Sequence, residues 1–373
     1  MEEEQQMIVL GLMSGSSLDG IDLAVGSFRF QQQPGFTLKE WKLLQSVTIP
    51  YPPTWQARLR TAPHLPGREL WRLHTDLGHF YGQMIRDFLQ KNELTVDLIG
   101  SHGHTVFHHP EKSFTTQIGD GAAIAHISQV PTVDQLRTMD VAAGGQGAPI
   151  APIADHYLLA QYRAFLNLGG IANVSLKGPD DSFLAGDVSG ANQILDQLAA
   201  TFGQTYDDGG RIAAGGQVLP DLMEQIRNLP YHQQACPKSL DNAWVRETLW
   251  PIISRHPGEA ADKMHTFCHF LAAEVQRVLV DLAQRSKLAS QAIRVLVTGG
   301  GTHNQFLLRC LREQPQDDQF PLGYEAADAT LADAKEALMV ALSALLRKLA
   351  VPNVLASATG ASSNTINGAL YLP

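Results

Sequence analysis

Gly11-Leu12-Met13-Ser14-Gly15-Ser16-Ser17-Leu18-Asp19-Gly20-Ile21-Asp22 is the stretch that most narrows what this chain can fold into. It joins an apolar run, Met7 to Leu12, to an alternating one, Ile21 to Phe30, and so reads as a β-hairpin with small residues at its bend. Three glycines and three serines lie between Gly11 and Gly20. Such residues leave backbone N–H groups uncovered, and a concave set of those donors suits an oxyanion such as phosphate. Asp19 and Asp22 are near enough to hold a magnesium ion through water. An ordinary Gly/Ser turn explains the same residues in an isolated hairpin. The anion-binding reading gains weight from the second half, where Arg163 to Ser175, through Asn167-Leu168-Gly169-Gly170-Ile171, repeats strand, glycine turn, strand.

The order of elements supports a duplicated α/β architecture. After the hairpin, Lys39 to Pro50 reads as a third strand, and Leu70, Leu73, Leu77, Phe80, Met84 and Phe88 keep helical spacing within Glu69 to Lys91. Val96 to Ser101 reads as a strand, Asp120 to Ser128 as a helix and Val130 to Val133 as another strand. In the second half Phe183 to Asp187 is a third strand, followed by helices over Asn192 to Phe202, Asp262 to Lys287, His303 to Arg312 and Ala332 to Leu349, with a strand at Ile293 to Thr298. A polar, proline-bearing region over 203–257 reads as an insertion. Gly144 to Pro149 is the natural junction, because glycine admits unusual backbone angles and proline disfavours helix before it. The expected domains are 1–135 completed by 340–373, and 136–339.

Composition limits the partners. At 373 residues the chain suggests about two domains, and a formal charge of −9 without any Lys/Arg run argues against a nucleic-acid surface. Cys236, Cys268 and Cys310 are too few and too far apart for a disulfide framework or zinc knuckle, which fits a reducing cytosol. The acidic start, Glu2-Glu3-Glu4, is unlike a signal peptide, and no apolar run approaches ~20 residues. A cytoplasmic protein without membrane attachment is expected.

A third glycine cluster, Gly299-Gly300-Gly301-Thr302-His303-Asn304, follows a strand and opens a helix, which aims helix N–H groups at a ligand. None of these loops is a Walker A or Gly-x-Gly-x-x-Gly motif. Together with Gly100-Ser101-His102-Gly103-His104-Thr105, Gln117-Ile118-Gly119-Asp120, Gly144 to Pro149, Asn167 to Asn173 and Lys238-Ser239-Leu240, the hairpin resembles the anhydro-N-acetylmuramic acid kinase family from about Ile8 to Thr359-Gly360-Ala361. That resemblance implies two ribonuclease-H-like domains of the actin-like ATPase kind, with a cleft between them. It also implies a cytoplasmic enzyme of cell-wall recycling that uses ATP, magnesium and water to open the 1,6-anhydro ring of its sugar and phosphorylate O6. A homodimer is the implied assembly.

The implied roles fall on definite residues. Asp187 is the candidate general base, since it ends a strand and small residues follow it; an N-cap for the next helix is the alternative. The family has Asp-Thr-Gly-Pro-Gly-Asn where this chain has Asp187-Val188-Ser189-Gly190-Ala191-Asn192, which keeps the Asp and Asn spacing and changes the middle. Nucleotide contacts are expected from Gly15-Ser16-Ser17-Leu18-Asp19-Gly20-Ile21-Asp22, Asn167, Gly169, Gly170, Gly299, Gly300, Gly301 and Asn304, with Asp19 at the metal. Sugar contacts are expected from His104, Arg137, Asn192 and Glu336, against surface roles for Arg137 and Glu336. Two rivals stand beside this. His102, His104, His108 and His109, with His265 and His269, are suited to a zinc hydrolase, and a non-catalytic ATP-binding protein would share the lobes.

Overall fold

A computed structural model describes residues 4–15, 18, 20–33, 35–179, 183–236, 238–240 and 242–373, without the side chains of 329, 330, 332 and 333. The expected residues Ser16, Ser17 and Asp19 therefore lie outside the described residues. In chain order the strands and main helices are β1 Gln5–Ser14, β2 Gly20–Gln31, β3 Thr37–Pro50, α1 Gly67–Lys91, β4 Leu98–Ser101, β5 His104–His109, β6 Phe114–Ile118, α2 Gly121–Ser128 and β7 Thr132–Asp134, then β8 Ala164–Leu168, β9 Ile171–Lys177, β10 Phe183–Gly190, α3 Asn192–Ala199, α4 Ala260–Arg285, β11 Ile293–Thr298, α5 Gln305–Arg312, β12 Leu322–Ala326, α6 Ala329–Lys348 and β13 Ala369–Tyr371.

The chain divides into two compact units, Met1–Leu159 with Ala329–Pro373, and Ala160–Asp328. In the first, the sheet order is β13-β7-β4-β1-β2-β3. β1 and β2 are antiparallel, as are β2 and β3, while β1 runs parallel to β4 and β4 to β7. The second unit has the order β10-β9-β8-β11-β12, with β8–β9–β10 an antiparallel meander and β8, β11 and β12 parallel. Both units thus share one arrangement, third-second-first-fourth-fifth, which is the ribonuclease-H-like pattern.

Local sequence explains the layers. β1 is central, with Val9, Leu10 and Leu12 all fully buried. One face of its sheet is covered by α1, whose Leu73, Leu77, Tyr81, Ile85 and Phe88 recur at helical spacing and join one apolar cluster with Leu10, Leu12 and Ile21. Each such side chain contributes about 1.5–3 kcal/mol by leaving water. The other face meets α6 where Gly11 and Gly100 lie against the Ala337–Ala344 turns. In the second unit α3, α4 and α5 share one core with β8, β9 and β11. Among the described residues, no helix is long and apolar enough to cross a membrane.

The unit boundaries differ from those expected. Gly144 to Pro149 is no junction but a loop inside the first unit, because the buried Asp140 accepts from Gly147 N at 2.8 Å and from Thr359 Oγ1 at 2.7 Å. Gln146 N also donates to Thr359 O at 2.9 Å. The loop is thereby tied to the C-terminal segment. All of α6, not only its part beyond 340, belongs to the same unit. The hairpin bend is also shorter than expected: Gly11 to Ser14 belong to β1 and Gly20 to Asp22 to β2.

Candidate active site

Asp187 sits inside β10 rather than at its end, opposite Asn173 of β9, and the register shifts between Asp187 and Ser189. The strand continues to Gly190 and Ala191 is the residue before α3, so Asp187 does not cap that helix. Its half-buried carboxylate accepts at Oδ2 from Leu240 N at 2.7 Å. Its own N–H donates to Lys238 O at 2.9 Å, and its carbonyl accepts from Tyr231 Oη at 2.8 Å. Burial pushes the carboxyl pKa up, and the Leu240 N–H opposes that shift. The result is a carboxylate held at one oxygen and more basic than an exposed aspartate, which suits proton abstraction.

The glycine loops of the second unit converge. The β8–β9 turn is latched to the start of α3, since Ala191 N donates to Gly170 O at 2.8 Å and Asn192 N to Gly169 O at 3.1 Å. Asn192 Nδ2 adds a bond to Leu168 O at 2.9 Å. Against this turn lies Gly299, at φ +86, where an added Cβ would lie 2.5 Å from Asn167 Oδ1. A Cβ on Gly300 or Gly301 would lie 3.6 Å from Asn192 Nδ2 and 3.2 Å from Asn192 Oδ1, respectively. Asn167, Gly169, Gly170, Asn192 and Gly299 to Gly301 therefore form one patch where backbone is bare. Asn304 caps α5, with Oδ1 accepting from Leu307 N at 2.9 Å. Sequence reasoning passed over Asp207-Asp208-Gly209-Gly210 inside the presumed insertion, although Asp-Gly-Gly is a turn signal. There Asp207 caps Ile212 N and Ala213 N, both at 2.9 Å, and Gly210 packs on Asn304 and Phe306.

The remaining expected residues lie in the first unit. Ile21 and Leu18 are buried and Leu18 has φ +60, so any ligand contact from them is through backbone. Asp22 accepts from Thr48 Oγ1 at 2.6 Å. Arg137 donates from Nε to His102 Nε2 at 2.8 Å and from Nη1 to Gly147 O at 2.6 Å. Burial lowers the Arg137 pKa, and the exposed Glu336 opposes that shift. His102 is buried and its pKa is pushed down to about 3, first by burial and then by Arg137; as the acceptor at Nε2 it donates at Nδ1 to Gly103 O at 3.0 Å. Both its nitrogens are therefore engaged, and among the described residues no group of three or more His, Cys, Asp or Glu is placed to hold a metal. His265 likewise bonds Ala213 O through Nδ1. Buried His104 has Nδ1 3.4 Å from Ser14 Oγ, which lies 2.8 Å from Tyr51 Oη, and Tyr51 Oη in turn lies 2.6 Å from Tyr81 Oη. Ser14 was not among the expected site residues, though it stands in the hairpin motif.

Asp134, three residues before Arg137, supports the fold. Its Oδ2 accepts from Gly121 N at 3.0 Å, and burial, with Asp120 nearby, pushes its pKa up from 3.8 to about 7. A carboxyl whose pKa rises on folding gives its full stability below pH ~4 and loses it as pH climbs through about 7. Asp134→Asn keeps the acceptor for Gly121, so it is expected to raise stability at pH 8 by about 2 kcal/mol and to flatten the pH dependence between 4 and 7. Urea denaturation at pH 5 and pH 8 checks this; equal effects at both pH values would contradict it.

The model of a family described as anhydro-N-acetylmuramic acid kinase matches residues 7–373. A Paramagnetospirillum magneticum protein named anhydro-N-acetylmuramic acid kinase is 36% identical over 82% of this chain and 83% of its own length. One of that name from Synechococcus elongatus is 34% identical over 98% and 99%. Among solved structures, component A of the (R)-2-hydroxyglutaryl-CoA dehydratase of Acidaminococcus fermentans overlaps 92% of this chain and 99% of its own at 14% identity, with a TM-score of 0.43. The two sequence relatives cover both units, so the likeness is not confined to one glycine loop.

Proposed function

The chain belongs to the anhydro-N-acetylmuramic acid kinase family, and on that premise we propose that Asp187 is the general base of its reaction. The activity is that of a sugar kinase: ATP and water convert anhydro-N-acetylmuramic acid into N-acetylmuramate 6-phosphate and ADP. Water attacks the anomeric carbon as Asp187 takes its proton. The bond from that carbon to bridging O6 breaks, O6 keeps the electron pair and bonds the γ-phosphorus, and the β–γ bridging oxygen leaves with ADP. What supports Asp187 is its geometry, a half-buried carboxylate fixed at Oδ2 by Leu240 N, with burial raising its pKa.

The bare backbone of Gly169, Gly170 and Gly299 to Gly301 would supply donors that phosphoryl oxygens need, and the family resemblance assigns Gly15 to Asp22 to the nucleotide as well. Bound magnesium would neutralise charge on those oxygens. Because it keeps several waters and takes only one or two carboxylates, Asp19 with Asp22 is a sufficient set. Arg137, with Nη2 beyond its two bonds, is suited to the lactyl carboxylate, and His104, Asn192 and Glu336 to the sugar's polar groups. We place the enzyme in the cytoplasm, in keeping with three thiols and no disulfide among the described residues; its assembly as a homodimer rests on the family resemblance alone.

Incubation with ATP, magnesium and anhydro-N-acetylmuramic acid in oxygen-18 water tests the reading. The expected product gains one phosphoryl group and one heavy oxygen, located at the anomeric carbon. Heavy oxygen in phosphate alone, or turnover of ATP independent of the sugar, would contradict it.

A further inference from the structure

We propose that Lys238, Glu274 and Arg277 are positioning residues for Asp187: they fasten residues Tyr231 to Leu240 onto α4, and those residues hold the Asp187 carboxylate in register. The inference rests on Asp187 being the base. It also gives Lys238-Ser239-Leu240 a use, since no residue of this motif is assigned to sugar or nucleotide above.

The holding bonds come from Tyr231, Lys238 and Leu240. Leu240 N donates to Asp187 Oδ2 at 2.7 Å, Asp187 N to Lys238 O at 2.9 Å and Tyr231 Oη to Asp187 O at 2.8 Å. His232 Nε2 lies 3.1 Å from Ser189 Oγ, just past the register shift. At Gly186 an added Cβ would stand 2.6 Å from Cys236 Sγ, so segment and strand are in close contact. Asp187 is thus gripped through both its backbone and one carboxylate oxygen.

The fastening bonds lie beneath. Lys238 Nζ donates to Tyr231 O at 3.2 Å and Glu274 Oε1 at 3.5 Å, and sits 4.4 Å from the centre of the Tyr231 ring. Glu274 accepts from Arg277 Nε at 2.8 Å and Nη2 at 2.6 Å, and Arg277 Nη2 reaches His232 O at 2.9 Å. The Lys238 and Glu274 side chains are only 2% and 7% exposed. A buried ion pair stabilises little more than an apolar pair of the same volume. Its bonds to Tyr231 and His232 carbonyls, however, fix the segment in a way that apolar side chains cannot.

The test replaces the pair by apolar residues of similar size, Lys238→Met with Glu274→Met, and compares it with Asp187→Asn. The expected double variant melts within a few degrees of the parent and keeps its KM for ATP, yet its kcat falls about ten- to a hundredfold, the cost of misplacing a reacting group by about 1 Å. Loosening of the Leu240 N–H also moves the acidic limb of its kcat profile to higher pH, because that donor favours the ionised carboxylate. Unchanged kcat and limb would overturn the proposal, and so would a loss shared equally by ATP binding and melting. If the double variant does not fold, Arg277→Lys, at a side chain 44% exposed, carries the same two readouts, and an unchanged kcat and limb there overturn the proposal equally. An Asp187→Asn enzyme as active as the parent would sink the base assignment itself, whereas an inactive one beside a silent double variant would sink only the positioning role.

Discussion

Asp187→Asn is expected to lower kcat about a thousandfold while the KM for ATP stays within about twofold. The substitution keeps the shape and the acceptor that Leu240 N uses, and removes only the capacity to take a proton. The loops proposed for the nucleotide, Gly169 with Gly170 and Gly299 to Gly301, contact other partners and have no cause to move. In the parent enzyme, burial raises the Asp187 pKa, so its carboxylate is protonated at a higher pH than that of an exposed aspartate. Activity should therefore fall on acidification with a limb above the ordinary aspartate range of about 4 and stay level on the alkaline side of that limb. The residual activity of the Asn variant should lack the limb. Steady-state kinetics from pH 4 to 8 on variants with parental melting decide it, and an Asn variant within about threefold of the parent would remove Asp187 from the chemistry.

How far the sequence reached depends on the range of the interaction involved. Local patterns were legible: the helical stripe Leu73 to Phe88, the alternation of β2 and the glycine turn at Gly169 each declare their element. The doubled strand order followed from them. β12, Leu322 to Ala326, was missed because a short edge strand before a long helix has too few residues to show a period. The β5–β6 hairpin was hidden by His109-Pro110, which reads as loop, although cross-strand pairing runs up to His109. The domain limits failed for a different reason. What assigns Gly144 to Pro149 to the first unit is Asp140 bonding Thr359, 219 residues away, and no local window contains both. The same applies at Asp187, whose carboxylate is held by Leu240, 53 residues on, in a strand that runs past it to Gly190. Candidate site residues were nameable from a resemblance; the bonds around them were not.

Gly11 shows the cost of reading a motif by composition, and it yields the second large effect. In sequence it looks like part of an anion-binding bend, yet it lies in β1, paired with Ala24 of β2 and Gly100 of β4. Gly11 and Gly100 form a bare strip under α6, whose facing residues, Ala337, Ala341 and Ala344, are themselves small and fully buried. Helix backbone therefore rests almost directly on strand backbone. A Cβ on Gly11 would overlap the Ala337 carbonyl oxygen and lie 2.7 Å from Ala341 N, and one on Gly100 would lie 2.5 Å from Val340 O. No flexible side chain is there to yield, so the whole helix must lift from the sheet. Gly11→Ala is expected to destabilise the first unit by about 3 kcal/mol or more, at the upper end for overpacking. By contrast, Gly323→Ala in β12 has nothing within 4 Å of the new methyl, and restricting the unfolded chain should leave it neutral or better by about 0.5 kcal/mol. Urea denaturation of the two variants beside the parent measures the contrast. A Gly11→Ala protein as stable as Gly323→Ala would mean that α6 can ride higher on the sheet at no cost, and that the glycine at this position serves something other than close packing.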